Sequence, residues 1–155
     1  KSNFNLYIYN SIILISILLI ICAFVVYFVI NYRNMQMQAQ INNKEYNTYK
    51  DKTIVGTTLV SIINKTVDNN EKNNIEKDNS NVYVENEDNS IKIYIYFLDE
   101  DGKRIETPYT MEQIYNKGSD SFIKLYGTSN FTCTNIDYHS KTGNVKSLTF
   151  EQKIY

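Results

Sequence analysis

The stretch from Ile12 to Ile30 reads IILISILLIICAFVVYFVI and decides how the chain is organised. Only Ser16 and Cys22 interrupt its apolar residues, and no charged side chain occurs from residue 2 to residue 32. As a helix, this stretch spans roughly 28 Å, which is close to the hydrocarbon thickness of a bilayer. A small domain cannot cover a helix that is apolar on every side. The stretch therefore predicts a membrane anchor, whose lipid-facing residues include Ile12, Leu14, Leu18, Leu19, Phe24, Val26, Phe28 and Ile30.

Two kinds of processed signal are alternatives to a retained anchor. A cleaved secretory signal has a shorter apolar region and small residues before its cleavage site. The nearby candidate, Met37-Gln38-Ala39, has Met where a small residue is needed. A lipoprotein signal resembles the residues from Leu19 to Cys22, but Ile21 is bulky and further apolar residues follow. We therefore expect the anchor to be retained.

The charges around the anchor bear on its orientation. Lys1 precedes the anchor, whereas Arg33, Lys44, Lys50 and Lys52 follow it. Because positively charged residues tend to stay on the cytoplasmic side of a membrane, this count alone would place the C-terminal part in the cytoplasm. That positive-inside rule loses force for a translocated domain of this length. We expect a single-pass protein of the cell membrane whose soluble part lies outside the cytoplasm.

The length and composition limit what the remaining residues can form. A chain of 155 residues is enough for an anchor and one small domain. The net charge is −1, which argues against a nucleic-acid-binding surface. Cys22 and Cys133 cannot pair within one chain, because Cys22 lies inside the anchor. We expect an anchor over residues 1–32, a membrane-proximal helix or linker over 33–55, and an extramembrane domain over 56–155.

A stripe of mostly apolar and aromatic residues continues past the anchor. The spacing alternates between four and three along the series Phe28, Tyr32, Met35, Ala39, Asn42, Tyr46 and Tyr49. Such a stripe suits packing against another helix or against the domain. The alternative is an ordinary membrane-proximal helix in which the many tyrosines produce this spacing by chance. The candidate interaction residues on this stripe are Tyr32, Met35, Tyr46 and Tyr49.

A second helix is predicted after the first. No glycine or proline occurs between Arg33 and Gly56, so the first helix is predicted to continue as far as Gly56. Thr57 or Thr58 can then cap the second helix. Its predicted apolar face consists of Leu59, Val60, Ile62, Ile63 and Val67. Residues 68–81 are almost wholly polar and predict an exposed loop.

Strand patterns dominate the C-terminal half. Alternating β-branched and aromatic residues predict a strand from Ile91 to Leu98. Residues 131–138 and 145–151 predict a hairpin. The alternation changes phase between Cys133 and Ile136, which predicts a bulge. The predicted fold class is α+β: a transmembrane helix that extends beyond the membrane, then a helix packed on a small antiparallel sheet.

Two short elements are predicted between these strands. Residues Asp99 to Gly102 predict a solvated turn, because the later ligands of a calcium loop do not follow. Thr110 can cap a short helix from Met111 to Lys117, which Gly118 would end.

The aromatic face of the predicted strand is a further candidate. Tyr94 and Tyr96 lie opposite the row of isoleucines. If the second helix covers the isoleucines, these rings are left for a partner, since tyrosine is favoured at interfaces. The alternative is that a loop or the segment 109–126 covers them. Tyr94 and Tyr96 therefore join the candidate interaction residues.

No pattern in the sequence predicts an enzyme. His139 is the only histidine, so a Ser-His or Cys-His nucleophile would have to use it. It follows a predicted strand beside a turn, where a solvated surface histidine is the expected outcome. Cys133 alternates with Phe131 on a predicted core face, which favours a buried, unreactive thiol. We therefore expect no catalytic residues, no cofactor and no metal site.

One part of the chain resembles a known group of proteins. The heavy use of Asn, Lys, Ile and Tyr is typical of an AT-rich, bacterial genome. The residues concerned lie within about the first 70 positions and are Tyr49, Lys52, Gly56-Thr57, Leu59, Ser61-Ile62 and Asn69-Asn70. With these residues, this part of the chain resembles small single-span proteins of clostridia-like Gram-positive bacteria, some of them pilin-like and associated with type IV or tight-adherence pili. The resemblance implies a cell-surface structural or assembly component that contacts the bilayer and other surface proteins or copies of itself. A tethered ligand-binding or sensing module, with a pocket between the 57–68 helix and the sheet, is the alternative.

Overall fold

The computed structural model describes residues 2–154, with side chains from Phe4 to Ile154. The chain divides into two compact units with the boundary between Gln38 and Ala39. The unit that begins at Ala39 is called the head below. The elements in chain order are α1 (Ser2–Asn47), β1 (Thr53–Val55), α2 (Gly56–Lys72), β2 (Lys92–Tyr96), β3 (Tyr109–Thr110), α3 (Met111–Lys117), α4 (Ser119–Tyr126), β4 (Asn130–Tyr138) and β5 (Val145–Lys153). This division follows contacts within the chain and does not locate the membrane. The predicted domain boundaries after residues 32 and 55 therefore stay predictions.

The first unit is the apolar part of α1. This helix is long and apolar enough to cross a membrane, and none of its most apolar window is buried. The eight predicted lipid-facing residues are between 53% and 67% exposed and lie on all sides of the helix. The hydroxyl of Ser16 donates a hydrogen bond to the carbonyl oxygen of Ile12 at 2.9 Å, so this polar group is satisfied inside the helix.

The end of α1 differs from the prediction that the first helix continues to Gly56. The helix ends at Asn47 and β1 follows. The amide of Asp51 donates to the carbonyl oxygen of Cys133 at 2.9 Å, and the amide of Cys133 donates to the carbonyl oxygen of Lys52 at 3.1 Å. These bonds to β4 replace the helical ones, so pairing with a distant strand ends the helix without a glycine or proline.

The sheet has five strands in the order β1-β4-β5-β2-β3. The pairs β1–β4, β4–β5 and β2–β3 are antiparallel, but β2 and β5 are parallel. The predicted purely antiparallel sheet is therefore wrong, although the α+β class is confirmed. The parallel pair arises because α3, α4 and β4 separate β2 from β5 along the chain, and such a crossover can return a strand in the same direction.

The core of the head lies between α2 and the sheet. The predicted apolar face of α2 is buried, with Leu59 and Ile63 fully inaccessible. They belong to one cluster with the fully buried strand residues Ile93, Ile95, Phe131, Leu148 and Phe150. The predicted bulge is confirmed by a register shift between Cys133 and Asn135. The short helix is confirmed from Met111 to Lys117, but α4 after it was not predicted.

The start of α2 corrects the prediction that Thr57 or Thr58 caps this helix. The helix begins at Gly56 without a side-chain cap. Its first amides bind backbone carbonyls instead: Gly56 donates to Ser129 at 2.9 Å, and Thr57 donates to Gly127 at 3.1 Å. A Cβ on Gly56 would lie 1.9 Å from the carbonyl oxygen of Tyr126. The glycine therefore permits a close approach that makes a capping side chain unnecessary.

Candidate functional site

Two buried asparagines hold the backbone of neighbouring segments in the head. Asn43, near the end of α1, donates from Nδ2 to the carbonyl oxygen of Gly143 at 2.7 Å and accepts at Oδ1 from the amide of Val145 at 2.7 Å. Asn70, on α2, donates to the carbonyl oxygen of Ile91 at 2.8 Å and accepts from the amide of Ile91 at 2.9 Å. Each side chain thus satisfies a backbone donor and a backbone acceptor where no strand is available.

Asn70 corrects the prediction of an exposed loop over residues 68–81. The helix α2 continues to Lys72, and Asn70 is fully buried within it. Ile75 is buried as well, and its amide donates to the carbonyl oxygen of Asn70 at 3.0 Å. The polar composition concealed this role, because an asparagine that binds backbone looks the same in sequence as one that binds water.

A polar groove of about 750 Å³ is lined by Asn43 and by Ile91, the hydrogen-bond partner of Asn70. One wall is the last two turns of α1 with the turn after it. The other wall, called the α2 wall, is α2 from Lys65 onward with Asn73, the residue that follows the helix. Asn89 and Asn144 approach from two loops of the head. We call this the asparagine groove; its lining residues are Ile41, Asn42, Asn43, Lys44, Glu45, Tyr46, Thr48, Lys65, Asn69, Asn73, Asn89, Ile91, Asn144 and Val145.

Charges in the asparagine groove are largely paired. Lys65 on α2 forms an ion pair with Glu45 on α1. The hydrogen bond with Glu45 raises the pKa of Lys65. Both side chains are about half exposed, so the pair contributes little to stability. Lys44 adds one further positive charge to the lining.

Two loops beside the asparagine groove are joined through His139. The predicted solvated surface histidine is wrong: His139 is only 4% exposed, and its Nε2 lies 2.8 Å from the carbonyl oxygen of Ser90. Since a carbonyl only accepts, Nε2 carries the hydrogen. The hydroxyl of Thr142 donates to the carbonyl oxygen of Asp88 at 2.6 Å and strengthens the same junction. The imidazole therefore holds the loop that contains Ser90, and Nε2, which carries the hydrogen, is not a nucleophile.

A buried ion pair holds a third backbone segment. Lys92 on β2 donates to the carboxylate of Glu112 on α3 at 3.0 Å and also to the carbonyl oxygen of Tyr83. The same carboxylate accepts from the amide of Tyr83 at 3.3 Å. Both charged side chains are at least nine-tenths buried. The ion pair therefore satisfies both the amide and the carbonyl oxygen of Tyr83, as a neighbouring strand would. Tyr83 itself lies outside the five strands of the sheet.

The predicted tyrosine residues occupy different places. Tyr32 and Met35 lie on the first unit, whereas Tyr46 is buried in the head, with its hydroxyl 3.4 Å from that of Thr66. Tyr49 packs against the core of the head.

The two tyrosines of β2 are half-buried. Arg104 lies over the ring of Tyr96, 4.5 Å from its centroid. Burial raises the pKa of Tyr94. A role of Tyr94, Tyr96 or the stripe residues in binding stays a prediction.

The cysteine of the head and the acidic turn from Asp99 to Gly102 both have a role in the fold. Cys133 is fully buried on β4, as predicted, and burial raises the pKa of its thiol to about 11. Asp99 accepts at Oδ1 from the amides of Asp101 and Lys103, and Gly102 has a φ of 76°, which confirms the predicted turn. Within residues 2–154, no group of three His, Cys, Asp or Glu side chains has the geometry of a metal site.

The asparagine groove was not predicted from the sequence. The spacing of Lys65, Asn69 and Asn73 was available as a signal, because residues four apart share one face of a helix. The other wall was not predicted, because it is supplied by residues 41–48 of an earlier segment, which only the tertiary structure brings opposite α2. Comparison with models of protein families, with curated proteins and with solved structures finds no match to this chain.

Proposed function

We propose that this protein is a single-pass membrane protein whose head acts outside the cytoplasm as a structural or assembly component of the cell surface. The observation that carries the proposal is the apolar part of α1. Its residues are exposed on every side, which is unfavourable in water by roughly 25 cal/mol for each Å² of apolar surface. Lipid or other membrane helices would remove this cost.

The last turns of α1 support the surface-assembly part of the proposal. Ala39, Asn43 and Tyr46 follow one face of the helix and are buried in the head. A single helix with an apolar N-terminal part and a C-terminal end built into an α+β head is the plan that the pilin-like resemblance implies. In that plan the apolar helices of neighbouring subunits pack together, so Tyr32 and Met35 are the proposed contact residues.

Membrane fractionation tests the anchor. We expect the full chain to remain in the pellet after a carbonate wash, and a Leu18→Arg, Ile20→Arg variant to move to the soluble fraction or be degraded. A Leu18→Phe, Ile20→Phe variant is the control, since it keeps the residues apolar. Recovery of the native chain in the soluble fraction without detergent would overturn the anchor.

Site-directed labelling tests the side of the membrane. Cys133 is buried, so a cysteine introduced at the exposed Ser140 of a Cys22→Ser chain would be the accessible thiol of the head. We expect a membrane-impermeant maleimide to label it on cells whose wall has been removed. Labelling only after lysis would place the head in the cytoplasm and overturn this part of the proposal.

Photo-crosslinking tests assembly. A photoreactive amino acid at Tyr32 or Met35 should give adducts with a second copy or with another membrane protein. The same amino acid at Leu125, an exposed residue of the head, is the control. Adducts at neither stripe position would argue against assembly through α1.

The asparagine groove favours a second candidate function, a tethered ligand-binding module. The groove is large enough for a small ligand and is lined by several neutral amides that converge from four segments. This function is compatible with the same anchor and requires the groove to bind a molecule.

A further inference from the structure

The walls of the asparagine groove set the length of a ligand. The α1 wall runs from Ile41 to Thr48, which corresponds to roughly 10 Å along a helix axis. An extended polypeptide rises about 3.3 Å per residue, so about three residues fit along this wall. The α2 wall offers Lys65, Asn69 and Asn73 at helical spacing along its opposite side.

The side chains in the asparagine groove match the hydrogen-bonding groups of a peptide backbone. A carboxamide carries both donors and acceptors, as a peptide group does. In the head itself, Asn43 and Asn70 each bind a backbone N–H and a backbone C=O. The side chain of Asn69 has no hydrogen-bond partner among the described residues, and Asn73 uses only its Nδ2, toward the backbone of Asn69 at 2.9 Å.

Other ligand classes fit the asparagine groove less well. Tyr46 is the only aromatic residue of its lining and is 6% exposed, so no flat ring is available to stack on a sugar. The pairing of Glu45 with Lys65 leaves Lys44 as the single unpaired charge, which is too little for a phosphate-rich ligand. Ile41 is exposed at the rim and can contact one apolar side chain.

We propose that the asparagine groove binds a short, extended and uncharged segment of a partner polypeptide through its main chain. The amides of Asn69 and Asn73 bind the peptide groups from one side. The α1 wall encloses the segment from the other side, and Ile41 contacts one apolar side chain. This inference rests on the second candidate function and is independent of the assembly of α1.

Nuclear magnetic resonance of the full isotope-labelled chain in lipid nanodiscs tests this proposal. The probes are a blocked tripeptide, acetyl-Ala-Ile-Ala-amide, and maltotriose as the sugar counterpart. We expect the tripeptide to shift the side-chain amide signals of Asn69, Asn73 and Asn144 in a saturable way at millimolar concentrations. Maltotriose should leave them unchanged.

A variant and a matched control complete the experiment. Asn69→Ala with Asn73→Ala removes two amides of one wall and should weaken tripeptide binding about ten-fold. Asp68 lies on α2 but does not line the groove, so an Asp68→Ala variant should bind the tripeptide as tightly as the native chain does. Saturable shifts with maltotriose alone would keep a ligand site but overturn the peptide class. No shift with either probe, or equal binding by the double variant, would overturn the proposal, whereas the anchor would still be judged by fractionation.

Discussion

Substitution of Asn70 gives the sharpest test of the head structure. This side chain is fully buried on α2 and binds both the amide and the carbonyl oxygen of Ile91, the residue before β2. Ile91 is itself only 5% exposed, so little water can reach its backbone to replace a lost partner. An Asn70→Ala variant therefore leaves one donor and one acceptor unpaired inside the head.

The magnitude follows from these two groups. An unpaired buried donor or acceptor costs about 1 to 3 kcal/mol, so the two together cost about 2 to 6 kcal/mol. The higher helix propensity of alanine returns up to about 0.7 kcal/mol. We expect the free energy of unfolding to fall by about 1.3 to 5.3 kcal/mol, which is a large part of the stability of a small domain.

Urea denaturation of the full chain in detergent micelles measures this loss. The chain has 14 tyrosines and no tryptophan, so near-ultraviolet circular dichroism of tyrosine reports the tertiary structure. With an m value of about 1.5 kcal/mol per molar urea, a loss of 3 kcal/mol lowers the midpoint by about 2 M.

Two further variants separate the hydrogen bonds from a general loss of packing. Asn73→Ala, at the exposed residue that directly follows this helix, should change the stability by less than about 0.5 kcal/mol. Asn70→Asp buries an acid without a counter-charge, so its folded-state pKa should lie above the unfolded value of about 3.9. Its deficit relative to the native chain should then be smallest at low pH, where the protonated acid donates to Ile91, and should grow as the pH rises. An Asn70→Ala midpoint equal to that of Asn73→Ala would refute this reasoning.

Three more predictions concern the close approach at α2, the buried thiol and the buried ion pair. Gly56→Ala should lose about 1 to 3 kcal/mol of unfolding free energy, because its Cβ would lie 1.9 Å from the carbonyl oxygen of Tyr126. At pH 8, the thiol of Cys133 should react with iodoacetamide at least about a hundred-fold more slowly in the folded chain than in the unfolded chain. The raised pKa of about 11, against 9.0, lowers the thiolate fraction by that factor before access is considered. Lys92→Met should lose about 3 to 5 kcal/mol, because Glu112 is left as an unpaired buried charge, and the double change with Glu112→Leu should cost less than the two single changes added.

Matched control variants exist for Gly56→Ala and for Lys92→Met, whereas the unfolded chain is the reference for Cys133. Thr57→Ala, next to Gly56 on α2, has no comparable contact to lose and should be nearly neutral. Lys65→Met removes an ion pair that is about half exposed, so it should cost less than about 1 kcal/mol. Equal losses at Lys92 and Lys65, a stable Gly56→Ala variant, or rapid alkylation of the folded chain at Cys133 would each contradict the corresponding argument.

The elements of the head were predicted well where one segment carries its own pattern. The short helix from Met111 to Lys117 was identified at both ends, because a capping residue and a glycine with positive φ mark it locally. The bulge after Cys133 was visible as a change of phase in one strand. By contrast, β1 was missed, because its three residues become a strand only through their pairing with β4.

The sequence by itself determined the apolar helix and the α+β class, because hydrophobic periodicity and the absence of charge depend only on neighbouring residues. Only the tertiary structure decided the parallel pairing of β2 with β5, the end of α1 at Asn47, and the burial of Asn70 and His139. Each of these depends on a partner distant in the chain. A polar side chain is hydrated or buried according to whether such a partner offers it a hydrogen bond, and composition cannot reveal this.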